Sequence, residues 1–326
     1  MKIEFPFRML TSVACVLISG MWLSKASVAD SVVFGSGVNQ FNMEFVQILQ
    51  ANNADDTTGN PNPAGSVAYE YNMGKFEVSE NMITKYNSNF GTANNLAITK
   101  DTRGVDKPAT SVSWNEAARF VNWLNTSTGG FAAYKFTTTG VNDNIALWTA
   151  ADPLDYNASN PYRSLRTNFV LPSMDEWYKA AYFDPNTGIY FDFPNGSNTA
   201  PVAVASGTAA NTAVYSQPSS PADIMSAGGL SPYGIMGLGG NVVEWEETAV
   251  LLDNSSGSFD RGARGGFWFN NSVELSSLSR FGSGPINGDT YLGFRVASLT
   301  VVPEPSSWVL TLIGIAGLLY RRRLRK

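Results

Sequence analysis

The chain has 326 residues, 44% of them hydrophobic and only 15% charged, with no histidine and a single cysteine, Cys15; this is enough for one large domain with its own core. Beyond Cys15 there is no thiol or imidazole, which excludes a disulfide, a zinc–cysteine site, a thiolate nucleophile and a histidine base or metal ligand. The net charge of −5 understates the acidity of the body: Lys2, Arg8, Lys25 and the five basic residues from Arg321 onward sit at the ends, and 14 basic residues face 25 acidic ones in between, about −11, which argues against nucleic acid as a partner.

Residues 1–29 read as a secretory signal. Lys2 and Arg8 precede an apolar stretch from Met9 to Leu23, and Ser27-Val28-Ala29 places small residues ahead of a cut before Asp30. Lipid attachment at Cys15 is disfavoured, because Ser12 stands where such a signal needs a branched apolar residue. Residues 30–66 are polar and rich in Asn, Asp, Gly and Pro apart from Phe41 to Leu49, and are expected to form an N-terminal strand and a loop. From Val67 the pattern tightens. Tyr69, Tyr71 and Met73 alternate as in a half-buried strand, and Ser79 is placed to cap a short helix through Tyr86.

Ser113 and Glu116 form a capping box, and Trp114, Ala117, Ala118, Val121 and Leu124 then share one helical face. A second box follows Pro172, with Ser173 and Glu176, and Trp177, Ala180 and Ala181 supply its apolar face. Residues 126–168 and 184–232 lack periodicity and read as long irregular segments with short strands. There is no internal repeat and no linker. Short helices among many loops and strands give α+β as the fold class, in one domain. At the end, Val302-Pro303-Glu304-Pro305-Ser306 precedes an apolar run from Trp308 to Tyr320 and then Arg321-Arg322-Arg323. Such a run spans roughly 20 Å as a helix, less than a bilayer's hydrocarbon core, with the arginines kept on the cytoplasmic side.

The order of that tail resembles the PEP-CTERM sorting signal in residues 302–326. The resemblance implies a transient encounter with an exosortase-type enzyme, a membrane segment holding the chain in the inner membrane before processing, and delivery to the cell envelope or an extracellular matrix. The body resembles the formylglycine-generating (sulfatase-modifying factor) family. The blocks that carry this are Met73 to Ser79, Pro108 to Ala117, Leu171 to Trp177, Ser231-Pro232-Tyr233-Gly234 with Gly239 to Trp245, Arg264-Gly265-Gly266-Phe267-Trp268, and Gly293 to Ala297. They occur in the family's order across residues 67–298. The resemblance implies a loop-rich, C-type-lectin-like fold with few short helices.

The family's enzyme oxidises a cysteine of a sulfatase peptide with copper held by two cysteines, the soft ligands that suit copper(I). Counted from Gly266, those positions are Asn270 and Leu275 here, so no copper is expected. A related branch uses histidine-bound iron, which a chain without histidine cannot hold. Calcium is the surviving cofactor that the resemblance implies. One site would use the carbonyls of Gly240 and Val242 and the carboxylate of Glu244, with Gly237 standing where the family has an asparagine. A second would use Asn211 and the Thr212 carbonyl. The alternative for Glu244 is a buried carboxylate that braces its loop through backbone N–H groups.

Glu246 and Glu247, beside Glu244, and Asp175 beside Glu176 are read as solvated charges, with Glu176 also a cap; acid–base pairing among them is the enzymatic alternative. Trp114, Trp123, Trp177, Trp245 and Trp268 are assigned to the core rather than to a sugar-stacking surface. Arg264 and Arg295 are assigned structural roles. The expected function is an exported, non-catalytic envelope or matrix binding protein whose ligand is a polysaccharide or a protein. The alternative is a formylglycine-generating-type oxidoreductase, or another enzyme, acting by a route that these residues do not reveal.

Overall fold

The computed structural model describes residues 30–299; the signal segment and the sorting segment lie outside the described residues. In chain order the strands and helices are β1 (Asp30–Phe34), β2 (Phe41–Ile48), β3 (Tyr71–Gly74), α1 (Glu80–Tyr86), α2 (Trp114–Ser127), β4 (Phe169–Val170) and α3 (Met174–Tyr182). Two short pairs follow, β5 (Phe183–Asp184) with β6 (Ile189–Tyr190) and β7 (Val202–Ala203) with β8 (Thr212–Ala213). The chain closes with β9 (Val243–Ala249), β10 (Arg261–Arg264), β11 (Phe281–Ser283), β12 (Leu292–Gly293) and β13 (Ala297–Ser298). This is the α+β, loop-rich arrangement expected.

A five-stranded sheet has the order β1-β2-β3-β13-β4, so the last strand of the domain threads between an early one and the segment before α3. A four-stranded sheet has the order β11-β10-β9-β12, with β12 parallel to β9. The half-buried pattern expected around Tyr69 is corrected. The strand begins at Tyr71 and all four of its residues are buried, because β2 and β13 flank it and both faces are covered. Tyr69 lies outside it and is exposed.

Both capping boxes form. The Ser113 hydroxyl accepts from Glu116 N–H at 3.1 Å while Glu116 accepts from Ser113 N–H at 2.9 Å, and Ser173 and Glu176 repeat the exchange. The apolar face of α2 is wholly buried; Val121 and Leu124 together contribute roughly 3–6 kcal/mol relative to exposure. Asn125, also buried, ties this helix to β4 by donating to Phe169 O at 2.8 Å and accepting from Phe169 N–H at 2.8 Å. The five tryptophans assigned to the core are buried, and two of their indole N–H groups tie the frame together: Trp114 donates to Glu246 O and Trp245 to Val112 O. Among the described residues no helix is long and apolar enough to cross a membrane.

Candidate functional site

The site rests on β9, which is buried on both faces. Glu244, Glu246 and Glu247 are therefore not solvated charges: each is fully buried, and each is held by a distant arginine. Burying an ion costs several kcal/mol unless a partner and further hydrogen bonds compensate it. Glu244 accepts from Arg295 Nε at 2.6 Å and Nη2 at 2.5 Å, and from Trp177 Nε1 at 2.7 Å. Glu246 takes Arg264 Nε at 2.7 Å and Arg280 Nε at 2.8 Å. Glu247 takes Arg163 Nε at 2.9 Å, the Tyr134 hydroxyl at 2.7 Å and Asn160 Nδ2 at 2.5 Å. Arg264 and Arg295 are thus structural. Glu244 is a brace, though its partner is a guanidinium rather than the backbone.

This engagement bears on calcium. Both oxygens of Glu244 are held by Arg295, so the carboxylate expected to bind the ion is not free. A fully buried carboxylate with an open oxygen does lie nearby, Glu77, which sequence reasoning did not single out. Its Oε1 accepts from Asn241 Nδ2 at 2.8 Å and Oε2 has no partner. Burial pushes its carboxyl up to about 8. Gly237 passes directly beneath it, where an added Cβ would lie 2.6 Å from Glu77 Oε1, so the residue standing in place of an asparagine makes room for this carboxylate. Gly240 and Val242 belong to the same buried loop, Gly240 donating to Gly265 O at 2.7 Å. Asn211 and Thr212 lie one bridge away, where Val214 pairs with Gly240. Their carbonyls accept from Val202 and Gly229 N–H, and the described residues bring no group of three or more Asp, Glu, Cys or His together for a metal.

At the positions of the family's copper ligands the side chains do structural work. Asn270 Oδ1 accepts from Phe267 N–H at 2.9 Å, and its carbonyl accepts from Ser216 N–H at 2.8 Å. Leu275 is fully buried and packs beside Gly266 and Gly239. A pocket of about 210 Å³ opens there, lined by Arg264, Phe267, Asn270, Glu274, Phe281 and Tyr291. It offers no sulfur and no imidazole, so these residues do not fit copper(I).

A larger cleft, of about 680 Å³, lies elsewhere and shares no lining residue with that pocket. It opens at the N-terminus of α3, between Tyr69, the segment from Asn157 to Leu165, and Thr248 to Asn254. Tyr69, Arg163, Asn160 and Asn254 of its lining are joined through two buried carboxylates into one continuous chain. The Tyr69 hydroxyl donates to Glu176 Oε1 at 2.7 Å; Arg163 grips both oxygens of Glu176 at 2.8 and 2.9 Å and reaches Glu247. Glu247 receives Asn160, whose Oδ1 accepts from Asn254 Nδ2 at 3.2 Å. A fully connected network of this kind fixes its side chains before any ligand arrives.

Asp175 and Glu176 are separated by their surroundings. Arg163 draws the Glu176 carboxyl below its ordinary range although burial opposes this, whereas burial pushes Asp175 up to about 6. The folded state therefore holds the Asp175 proton more tightly than the unfolded chain, and its contribution to stability falls as pH rises from about 4 to about 6. At neutral pH this carboxylate is ionised at a cost to the fold.

A family model described as the sulfatase-modifying factor enzyme 1-like domain matches residues 24–299. Among solved structures, Treponema denticola variable protein 1 is similar at 21% identity, covering 84% of this chain and 99% of that one with a TM-score of 0.56. CarF is similar at 16% identity, covering 79% and 99% with a TM-score of 0.52. PvdO from Pseudomonas aeruginosa shares 16% identity over 82% and 97%, with a TM-score of 0.43. The comparison with curated proteins finds no match.

Proposed function

The chain belongs to the sulfatase-modifying factor enzyme 1-like domain family, and from that premise we propose that it is an exported, non-catalytic binding protein of the cell envelope or extracellular matrix. One observation carries the non-catalytic part: Asn270 and buried Leu275 stand where the family's enzyme would need two thiolates. The oxidoreductase alternative has no donor set to work with, because neither pocket presents a thiol or an imidazole. What remains is a rigid frame with a preorganised polar cleft, a form suited to binding. Export and sorting rest on the sequence of the two ends, with an exosortase-type enzyme as the transient partner. The test is binding of the purified protein to the organism's own envelope fraction, with mass spectrometry of the cellular protein to locate its termini. Retention on that fraction and a cut before Asp30 are expected. No retention, or an uncut N-terminus, contradicts the reading.

A second reading, calcium stabilisation, is favoured by the unpartnered oxygen of buried Glu77. Hard oxygen donors suit that ion, and Glu77 Oε2 is the oxygen that would meet it, in the loop that carries Gly240 and Val242. The expected result is a higher melting temperature in calcium than in chelator, with the difference abolished in Glu77→Gln. Coincident melting curves for the parent remove calcium and leave Glu77 carrying a proton instead.

A further inference from the structure

We propose that the cleft at the N-terminus of α3 binds a basic side chain, lysine or arginine, of a partner polypeptide. The inference rests on the binding reading above and gives its ligand a chemical class. The first argument is charge. Arg163 is the one cation that lines the cleft, and it is already engaged by Glu176 and Glu247. Those two carboxylates are buried behind the lining and answer Arg163, whereas Asp55 and Asp175 line the cleft itself with no basic residue of the lining paired to them. A concave site of one sign between low-dielectric walls concentrates ions of the other sign and turns away anionic ligands.

The second argument is geometry. Asp175 Oδ1 accepts from Gly65 N–H at 2.7 Å, which fixes the carboxylate, and its other oxygen makes no hydrogen bond within the described residues. Tyr69 is 44% exposed and its hydroxyl is tied to Glu176, so its ring is held in place with area free to meet a cation. Leu165 and Leu252, both exposed in the lining, offer apolar surface to the methylene stem of a long basic side chain. A neutral saccharide would draw on the amides of Asn160 and Asn254 and leave the uncompensated carboxylates unanswered. A basic side chain answers them, and the volume accommodates its flanking residues as well.

The third argument is cost. The position of Asp175 disfavours its own charge, a penalty that a bound cation relieves, and sites that bind commonly carry such penalties in the free state. The experiment is an NMR titration of the purified protein with acetyl-Ala-Arg-Ala-amide, its lysine counterpart, the citrulline peptide as neutral isostere, and a glucosamine trimer. The arginine and lysine peptides are expected to shift the amide signals of Gly65, Asn160 and Asp175, with the citrulline peptide about tenfold weaker. Asp175→Asn keeps the acceptor for Gly65 and removes the disfavoured charge. It is expected to melt no lower than the parent at pH 7 and to bind the arginine peptide about tenfold more weakly, with Asp55→Asn as a second variant that weakens binding. Equal binding of the citrulline peptide, binding of the glucosamine trimer alone, or undiminished binding by both variants overturns the proposal. Envelope retention without basic-peptide binding overturns this inference and leaves the binding reading standing; basic-peptide binding without envelope retention supports the inference and counts against the envelope assignment.

Discussion

Arg295→Ala is expected to destabilise the domain by about 3–5 kcal/mol, because it leaves Glu244 without its counter-charge in a fully buried position. The guanidinium holds both oxygens of that carboxylate and also donates to Gly74 O at 2.9 Å and Met236 O at 3.0 Å. One side chain thus joins β9, the end of β3 and the loop before the glycine–asparagine block. A loss of this size is a large share of the roughly 5–15 kcal/mol that ordinary domains possess. Urea unfolding at pH 7 measures it as a lower midpoint at constant slope. The double variant Glu244→Gln with Arg295→Met removes both charges, and it is expected to lose less than Arg295→Ala alone. A cost below about 1 kcal/mol for Arg295→Ala would mean that the pair is solvated rather than sealed in the core.

Gly240→Ala is expected to cost roughly 2–5 kcal/mol, the sum of a left-handed backbone penalty and overpacking. Gly240 has φ +81°, and an added Cβ would run into the carbonyl of Val214. That carbonyl accepts from Asn241 N–H at 2.8 Å, and the Asn241 side chain in turn holds Ala222 N–H and Glu77. Displacing one strand of this loop therefore disturbs several buried hydrogen bonds at once. Gly129 is the matched control: it has the same φ of +81°, with nothing within 4 Å of an added Cβ. Gly129→Ala is expected to cost about 1–2 kcal/mol, the backbone penalty alone. Equal losses for the two variants, measured by thermal melting, would show that close approach to Val214 is not what requires glycine.

The parts of the fold legible in the sequence are those encoded locally. A capping box needs residues three apart, and an apolar helical face repeats every three or four, so the starts of α2 and α3 and the burial of their tryptophans could be read directly. The ordered blocks added the family frame. The strands were harder, because β4, β12 and β13 are two residues each and carry no periodic signal. The charges of β9 were misread for a different reason. Three glutamates within four residues look solvated unless their partners are known, and those partners, Arg163, Arg264, Arg280 and Arg295, lie between 18 and 84 residues away. A strand buried on both faces leaves carboxylates no solvent, and that fact is one of topology. Glu77 escaped notice similarly: only the fold sets its carboxylate over Gly237 and beside Asn241. The cleft is assembled by loops from distant parts of the chain, and of its lining residues the sequence had marked Tyr69, as part of a strand, the capping Ser173 and Asp175.

The proposal that this member of the family does not perform the family's oxidation has a direct test. The direct measurement incubates the purified protein, supplied with copper, with a cysteine-containing sulfatase-motif peptide and follows the peptide's mass. Asn270 and Leu275 offer no soft ligand, and the predicted outcome is an unchanged cysteine with no copper retained after desalting. Conversion of that cysteine to an aldehyde, in an amount exceeding the protein present, would contradict the account.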